Sequence, residues 1–361
     1  MTATTLATQT MQAFVMRGLN EVGVVEKPIP EPGPNDAIVK TTAALVCTSD
    51  VHTVRGGIPV PAGRTLGHEA VGVVARLGAE VTGFEEGDRV LVNAVTPCYQ
   101  CTFCQRGFTG QCQGMLGGYK FTAQKDGNMA EYFHVNDARA NLVKIPARVP
   151  DEMAVYATDM LSTGFMAVEH AAIRLGDVVA IFAQGPVGLS ATIGARLCGA
   201  GRIITVESVP RRQELSRHFG ADDVVDYRQG DAVEQILELT GGEGVDAAIE
   251  ALGMPHTFAA CIHVTKPGGT ISNVGYHGEV PDPLPIPLAP FGLGMGDKTI
   301  RTGICPGGSE RMRRILRLME TGKIDPTPMT THRLPFAEVE RGFRLMQTKE
   351  EGCIKPLITF S

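Results

Sequence analysis

Val178-Val179-Ala180-Ile181-Phe182-Ala183-Gln184-Gly185-Pro186-Val187-Gly188 is the stretch that decides the fold. An apolar strand over Val178–Ala183 runs into a glycine-rich turn, and a helix follows through Cys198. A continuous apolar run with no polar alternation fits a strand buried on both faces, as in a parallel sheet. The unit then repeats. Strands are expected over Arg202–Val206, Val224–Tyr227, Val245–Ala251, Gly269–Val274 and Thr299–Ile304, with helices around Arg212–Phe219, Ala232–Leu239 and His256–Val264. Such alternation predicts an α/β region over 163–304, a doubly wound parallel sheet with helices on both faces. The uncharged stretch Val178–Ala195 reaches the lower length limit of a membrane span, but Gly185-Pro186 and Gly188 break it, so no membrane association is expected.

Outward from this region the texture changes. Residues 12 to about 160 are punctuated by Gly and Pro, with Val-rich runs such as Ala37–Lys40 and Ala70–Val74, and predict an irregular β domain. After 305 a helix over Glu310–Glu320 and a last strand near Pro356–Phe360 form a tail that could rejoin that first domain. The expected division is 1–162 with 305–361, against 163–304. A length of 361 residues suits two domains, and 43 glycines, about one in eight, predict many tight turns and close ligand approaches. Net charge is −6 without a basic stripe, which argues against a nucleic-acid partner. Residues 1–10 lack a basic start and an apolar core; a loose tail, no signal peptide and a cytoplasmic location are expected.

The turn after the first parallel strand has the layout of a dinucleotide site. Gly185, Pro186, Val187 and Gly188 would let a pyrophosphate approach backbone amides at a helix N-terminus, where the dipole favours negative charge. The pattern is imperfect, because Ala183 stands where the first glycine of GxGxxG belongs. The next strand ends in Glu207, about 20 residues on, and an acid there can accept from ribose hydroxyls and repel a 2′-phosphate. This favours NAD over NADP. Arg211 and Arg212 close behind are the counter-argument, since a guanidinium could hold a phosphate; Arg212 is taken as a cofactor-binding candidate.

Four cysteines fall within fifteen residues, Cys98-x2-Cys101-x2-Cys104-x7-Cys112. Thiolates at this spacing suit a tetrahedral soft metal such as zinc. Paired disulfides are the alternative, but Cys47, Cys198, Cys261, Cys305 and Cys353 are scattered singly, as in a reducing compartment. A four-thiolate shell is full, so the lobe over 96–114 would be structural and the chemistry lies elsewhere. Three other features sit in the β domain: Cys47-Thr48-Ser49-Asp50-Val51-His52, Gly67-His68-Glu69-Ala70, and Asp159 just before a helix signalled by Ser162-Thr163-Gly164. Alone, each has an ordinary structural explanation.

Together these segments resemble the zinc-dependent medium-chain alcohol dehydrogenases. GHEAVG at 67–72, CTSDVHT at 47–53 and the cysteine lobe carry the likeness, which runs from about residue 11 to the end. DAIVK at 36–40, FHVNDA at 133–138, TGFMAVE at 163–169, KPGGTISNVGY at 266–276 and CPGG at 305–308 are most similar to the bacterial secondary-alcohol, isopropanol-type branch. The resemblance implies a Rossmann domain plus a GroES-like irregular β-barrel catalytic domain, and two zinc ions per chain. Cys47, His68 and Asp159 would hold the catalytic zinc, with Glu69 as an exchangeable carboxylate and Asp50 orienting His68. Ser49 would take the alcohol proton and pass it through the nicotinamide ribose hydroxyl to His52. Ala94, Tyr119, Tyr276, Ile304 and Cys305 would line a pocket for a small alcohol or ketone. Two departures stand out: the branch often lacks the four-cysteine lobe, and its NADP-dependent members carry Gly and Arg where this chain has Glu207 and Val209. Both pull towards an NAD-linked enzyme. A homo-tetramer is implied, with a dimer as the alternative. Rival readings are a polyol or primary-alcohol dehydrogenase of the same fold, a metal-free quinone or enone reductase, and a zinc-stabilised nucleotide sensor.

Overall fold

The computed structural model describes residues 9–114 and 125–361; Tyr119 and most of the N-terminal tail lie outside the described residues. The chain divides into two compact units, Met1–Ser162 with Cys305–Ser361, and Thr163–Ile304.

The first unit is β-rich. Strands β1 (Thr10–Gly18) and β2 (Glu21–Pro28) form an antiparallel ladder of their own. A seven-stranded sheet takes β3 (Ala37–Leu45), β4 (Ala70–Leu77), β5 (Arg89–Val92), β6 (Tyr132–Val135) and β7 (Leu142–Lys144). In the second unit follow β8 (Val178–Phe182), β9 (Arg202–Val206), β10 (Asp223–Val225), β11 (Val245–Glu250), β12 (Thr265–Asn273) and β13 (Thr299–Thr302). The chain then returns to complete the first sheet with β14 (Thr330–Pro335) and β15 (Lys355–Thr359), in the order β14-β15-β3-β4-β5-β7, with β6 beside β3. The last strand thus lies against β3 in an antiparallel pairing that sets Leu357 opposite Leu45. Beneath this sheet Phe14, Val39, Val90, Phe133 and Phe343 share one core, the Phe14 and Phe343 rings being 5.7 Å apart.

The second unit is the doubly wound sheet. All six strands are parallel in the order β10-β9-β8-β11-β12-β13, so the order reverses between β8 and β11. Side chains alternate across β8 and both faces are buried: Val179 and Ile181 pack with Ile203, Ala247 and Ile249, whereas Ala180 and Phe182 pack with Ile204, Val206 and Ala248. That two-sided burial is why β8, at the centre of the sheet, reads as an unbroken apolar run.

The expected element ends shift in several places. The strand expected over Val224–Tyr227 stops at Val225, and Tyr227 instead uses its hydroxyl to accept from Ser208 Oγ at 2.7 Å. The strand expected from Gly269 already begins at Thr265, passing the left-handed Gly268 (φ 76°) through a register irregularity against β11. The strand expected to Ile304 ends at Thr302.

Candidate active site

Cys47 closes the segment after β3 and caps the helix Thr48–Val54. Asp50, at the third helical position, reaches back: its Oδ2 accepts from the Cys47 N–H at 2.9 Å and its Oδ1 from the Gly67 N–H at 3.1 Å. One buried carboxylate therefore fixes both segments that carry the sulfur and the imidazole. His68 follows Gly67, whose φ of 87° is a left-handed geometry that a side chain would strain. Asp159 comes from the segment just before the helix Met160–Ala171.

These segments bring Cys47, His68, Glu69 and Asp159 together, with one ligand atom from each within 4.8 Å of all the others. His68 Nδ1 faces Asp50 Oδ1 at 3.5 Å, while Nε2 lies 3.4 Å from Asp159 Oδ2, 3.8 Å from Glu69 Oε1 and 3.1 Å from Ser49 Oγ. Burial opposes charge on His68, yet Asp50, Cys47 and Asp159 hold its pKa well above the ordinary histidine value. Burial pushes the Glu69 carboxyl up even though Lys355 pulls it down, and Oε2 of Glu69 is buried without a hydrogen-bond partner among the described residues. A thiol, an imidazole and two carboxylates, one of them with an orphaned oxygen, are a donor set suited to zinc. Asp50 on the far nitrogen is the outer partner that a metal-binding histidine ordinarily has.

The second cluster is the cysteine lobe. The sulfurs of Cys98, Cys101, Cys104 and Cys112 all lie within 4.8 Å of one another, and all four are free thiols. A tetrahedral zinc with bonds of about 2.3 Å separates its sulfurs by roughly 3.8 Å. Backbone N–H groups of Cys101 and Cys98 point at Cys98 Sγ (3.4 Å) and Cys112 Sγ (3.3 Å). The Cys101 thiol is lowered to about 6, chiefly by backbone N–H groups of Cys104 and Gln113, whereas burial and the neighbouring thiols push Cys104 up to about 12. Four crowded thiols do not ionise together without a cation, so the donor set calls for one.

In the second unit Gly185 caps the helix Pro186–Leu197, with Pro186 in its first turn. Gly188 must be glycine, since a Cβ there would collide with the Ala183 carbonyl. At Gly185 an added Cβ would meet nothing within 4 Å, leaving an open cradle above the helix N-terminus. Ala183 has φ 71°, the left-handed conformation the fingerprint normally assigns to glycine. Glu207, just beyond β9, accepts through Oε1 from the Ser208 and Val209 N–H groups (2.8 and 2.9 Å) and through Oε2 from the Gln184 N–H (3.2 Å). Arg212 lies 3.5 Å from the same carboxylate.

Comparison with known proteins fits this geometry. Residues 33–147 match the family model of the alcohol dehydrogenase GroES-like domain, and residues 186–321 that of zinc-binding dehydrogenases. An NADP-dependent isopropanol dehydrogenase of Thermoanaerobacter brockii is 47% identical over 350 residues, covering 96% of this chain and 99% of that one. An alcohol dehydrogenase of Cupriavidus necator is 43% identical, covering 96% and 98%. Among solved structures, alcohol dehydrogenase TADH from Thermus sp. ATN1 superposes with a TM-score of 0.88 at 32% identity, covering 97% and 100%. The chain belongs to the zinc-dependent medium-chain alcohol dehydrogenases.

In this alcohol dehydrogenase, Ser49 and His52 occupy one face of the helix Thr48–Val54, a single turn apart. Of the expected pocket residues, Ala94 and Cys305 form a small buried cluster with Val95. Cys305 Sγ is 4.0 Å from the carbonyl of Thr158, the residue before Asp159, and the Ala94 N–H donates to that same carbonyl at 3.0 Å. Tyr276 (39% exposed) and Ile304 lie in the second unit. Sequence reasoning passed over Lys355, wholly buried on β15, although a lysine framed by Ile354 and Pro356-Leu357-Ile358 in a strand is itself a signal of an internal partner. No helix among the described residues is long and apolar enough to cross a membrane.

Proposed function

We propose that this alcohol dehydrogenase interconverts small secondary alcohols and ketones with NAD(H), using Cys47, His68 and Asp159 as ligands of a catalytic zinc and the four lobe cysteines as ligands of a structural one. The carrying observation is the buried Cys47/His68/Asp159/Glu69 cluster with Ser49 Oγ 3.1 Å from His68 Nε2. Bound zinc supplies Lewis-acid polarisation of an alcohol oxygen. Ser49 Oγ takes the alcohol proton, and His52, one turn along the helix, hands it towards solvent. Asp50 holds the His68 ring, and Glu69 would be the nearby carboxylate able to exchange with another ligand when zinc is bound. Ala94 and Cys305 present small, apolar walls, which suit short aliphatic chains better than polyols. A panel of 2-propanol, 2-butanol, ethanol and sorbitol tests the reading: faster turnover on sorbitol or ethanol than on 2-propanol would transfer the enzyme to the polyol or primary-alcohol class.

NAD is favoured by Glu207, whose carboxylate sits at the tip of β9 where the adenosine ribose of a doubly wound nucleotide domain is held. A reading with NADP has its own support. Ser208, Tyr227 and two guanidinium groups gather at the same strand end, with Arg228 donating to the Ser208 carbonyl, and the Thermoanaerobacter brockii relative is named NADP-dependent. Comparing kcat/KM for NAD and NADP on 2-propanol decides between them. A homo-tetramer, with a dimer as the alternative, is supported by the open edge of β13 and by Leu288, Leu293 and Met295, exposed at 66, 67 and 80%. Light scattering of the purified protein measures it. A cytoplasmic location accords with nine free cysteines.

A further inference from the structure

A further polar cluster lies at the carboxyl ends of β11 and β12, apart from the two cysteine-containing clusters. Glu250 ends β11 and is wholly buried. Its side chain accepts from the N–H groups of Leu252 (3.0 Å) and Gly253 (2.9 Å) and from Thr257 Oγ1 (2.6 Å), while its carbonyl accepts from the N–H groups of Val274 (2.9 Å) and Gly275 (3.1 Å). Gly275 must be glycine, because a Cβ would overlap the Glu250 carboxylate. Asn273 ends β12, and its Nδ2 donates to the Gly275 carbonyl at 3.2 Å, which turns Oδ1 towards His277. His277 Nε2 lies 2.9 Å from that Oδ1 and 3.7 Å from Glu250 Oε2.

Both groups facing Nε2 are acceptors, so Nε2 carries the proton and Nδ1 is left as a lone-pair acceptor. Nδ1 is buried and meets no hydrogen-bond donor among the described residues. The ring is held edge-on against Phe258, with centroids 6.1 Å apart. A buried acceptor so firmly oriented and left unmatched is costly unless a ligand supplies the donor.

Topology says which ligand part arrives there. In a doubly wound sheet the nucleotide crosses the carboxyl edge where the strand order reverses, here between β8 and β11. With the pyrophosphate over Gly185 and the adenosine over Glu207 beside β9, the other nucleoside extends over β11 and β12. Those strands lie about 5 and 10 Å from β8 at the usual strand spacing, within reach of a nucleoside.

We propose that His277 is a cofactor-binding residue whose Nδ1 accepts a hydrogen bond from the nicotinamide nucleoside, held in register by Asn273 and Glu250. The inference rests on the nicotinamide-dinucleotide reading above. The donor is an N–H or O–H group, supplied by the carboxamide or by the ribose.

The test titrates NADH, NADPH, ADP-ribose and AMP against the zinc-loaded wild type and His277→Phe, which keeps a ring against Phe258 but lacks both nitrogens. NADH affinity is expected to fall about tenfold, the worth of one buried hydrogen bond, while AMP affinity stays within twofold and so reports an intact nucleotide unit. An equal loss for ADP-ribose assigns the donor to the ribose; unchanged ADP-ribose binding assigns it to the carboxamide. Unchanged NADH affinity, or AMP weakened as much as NADH, overturns the proposal. If His277→Phe does not fold, His277→Leu, which has no polar atom to place at the Nδ1 position, is read by the same criteria. A wild type that binds neither NADH nor NADPH overturns the dinucleotide reading itself, a failure visible before any variant is made.

Discussion

Lys355 Nζ and Glu69 Oε1 stand 2.7 Å apart, joined across 286 residues of sequence, with both side chains wholly out of solvent. Burial alone would lower the pKa of the ammonium, but Glu69 holds it above the ordinary lysine value. The pair occupies one oxygen of Glu69 and leaves the other without a hydrogen-bond partner among the described residues. Lys355 is thereby a positioning residue for the Glu69 carboxylate, which lies 3.8 Å from His68 Nε2 in the cluster with Cys47 and Asp159. Replacing it by methionine leaves a buried carboxylate uncompensated, which costs about 3 kcal/mol or more. The expected result is a clear fall in Tm for Lys355→Met, most of it recovered in the double variant Lys355→Met/Glu69→Gln. Additive losses in that cycle would show that the two residues are not coupled.

The two cysteine-containing clusters separate stability from activity. Cys101→Ser removes one of four ligands from the lobe, so Tm should drop and zinc content should fall from two ions per chain towards one. His68→Ala should keep the lobe ion and lose at least a thousandfold in kcat/KM, on the order of the 4 kcal/mol expected for a lost metal-polarised step. Elemental analysis beside thermal melts checks both. Equal loss of activity in the two variants at saturating zinc would contradict the division.

The central parallel strand Val178–Phe182 is legible because every one of its side chains is apolar, as burial on both faces requires. Ser49, Asp50 and His52 stand together in CTSDVHT on one short helix, but the roles expected of them come from the family resemblance that this segment carries, not from the residues alone. Lys355 and His277 were not legible, since their partners come from distant strands and no local period marks them. Tyr227 was misplaced in a strand because its aromatic character favours one, while its hydroxyl is committed to Ser208. Ala183 shows the converse: a glycine position filled by alanine disguised the fingerprint, although the backbone keeps the left-handed turn.

Ala183 accordingly offers a stabilising substitution. An alanine at φ 71° pays a steric cost that glycine does not, about 1 kcal/mol. Ala183→Gly should raise Tm by one to a few degrees, roughly what such an energy gives for a chain of this size, without weakening nucleotide binding. A lower Tm would show that the loss of unfolded-chain entropy restriction outweighs the relieved strain.

Glu207→Gly tests the cofactor reading. The change removes a carboxylate that accepts from three backbone N–H groups and faces Arg212. KM for NAD should rise about tenfold, and NADP should gain as Arg212 is released from its partner. An unchanged ratio of kcat/KM for the two cofactors would remove Glu207 from the selectivity argument.

Lys125 supplies a pH dependence independent of either metal cluster. Its ammonium is buried, donating to Asn136 Oδ1 at 2.7 Å and Thr96 Oγ1 at 3.3 Å, and burial lowers its pKa from 10.5 to about 7, against the pull of Asp36 and Asp137. Between those two values the unfolded chain binds the proton that the folded one has released, so this group makes stability rise with pH from about 7 to 10.5. Below 7 both states are protonated and the full cost of the buried charge remains. Lys125→Met should therefore help most, or harm least, near pH 6, with the comparison shifting in favour of the wild type as pH approaches 10. Melting curves of both proteins across that range give the answer. A Tm difference that stays flat with pH would mean that Lys125 keeps its proton in the folded enzyme.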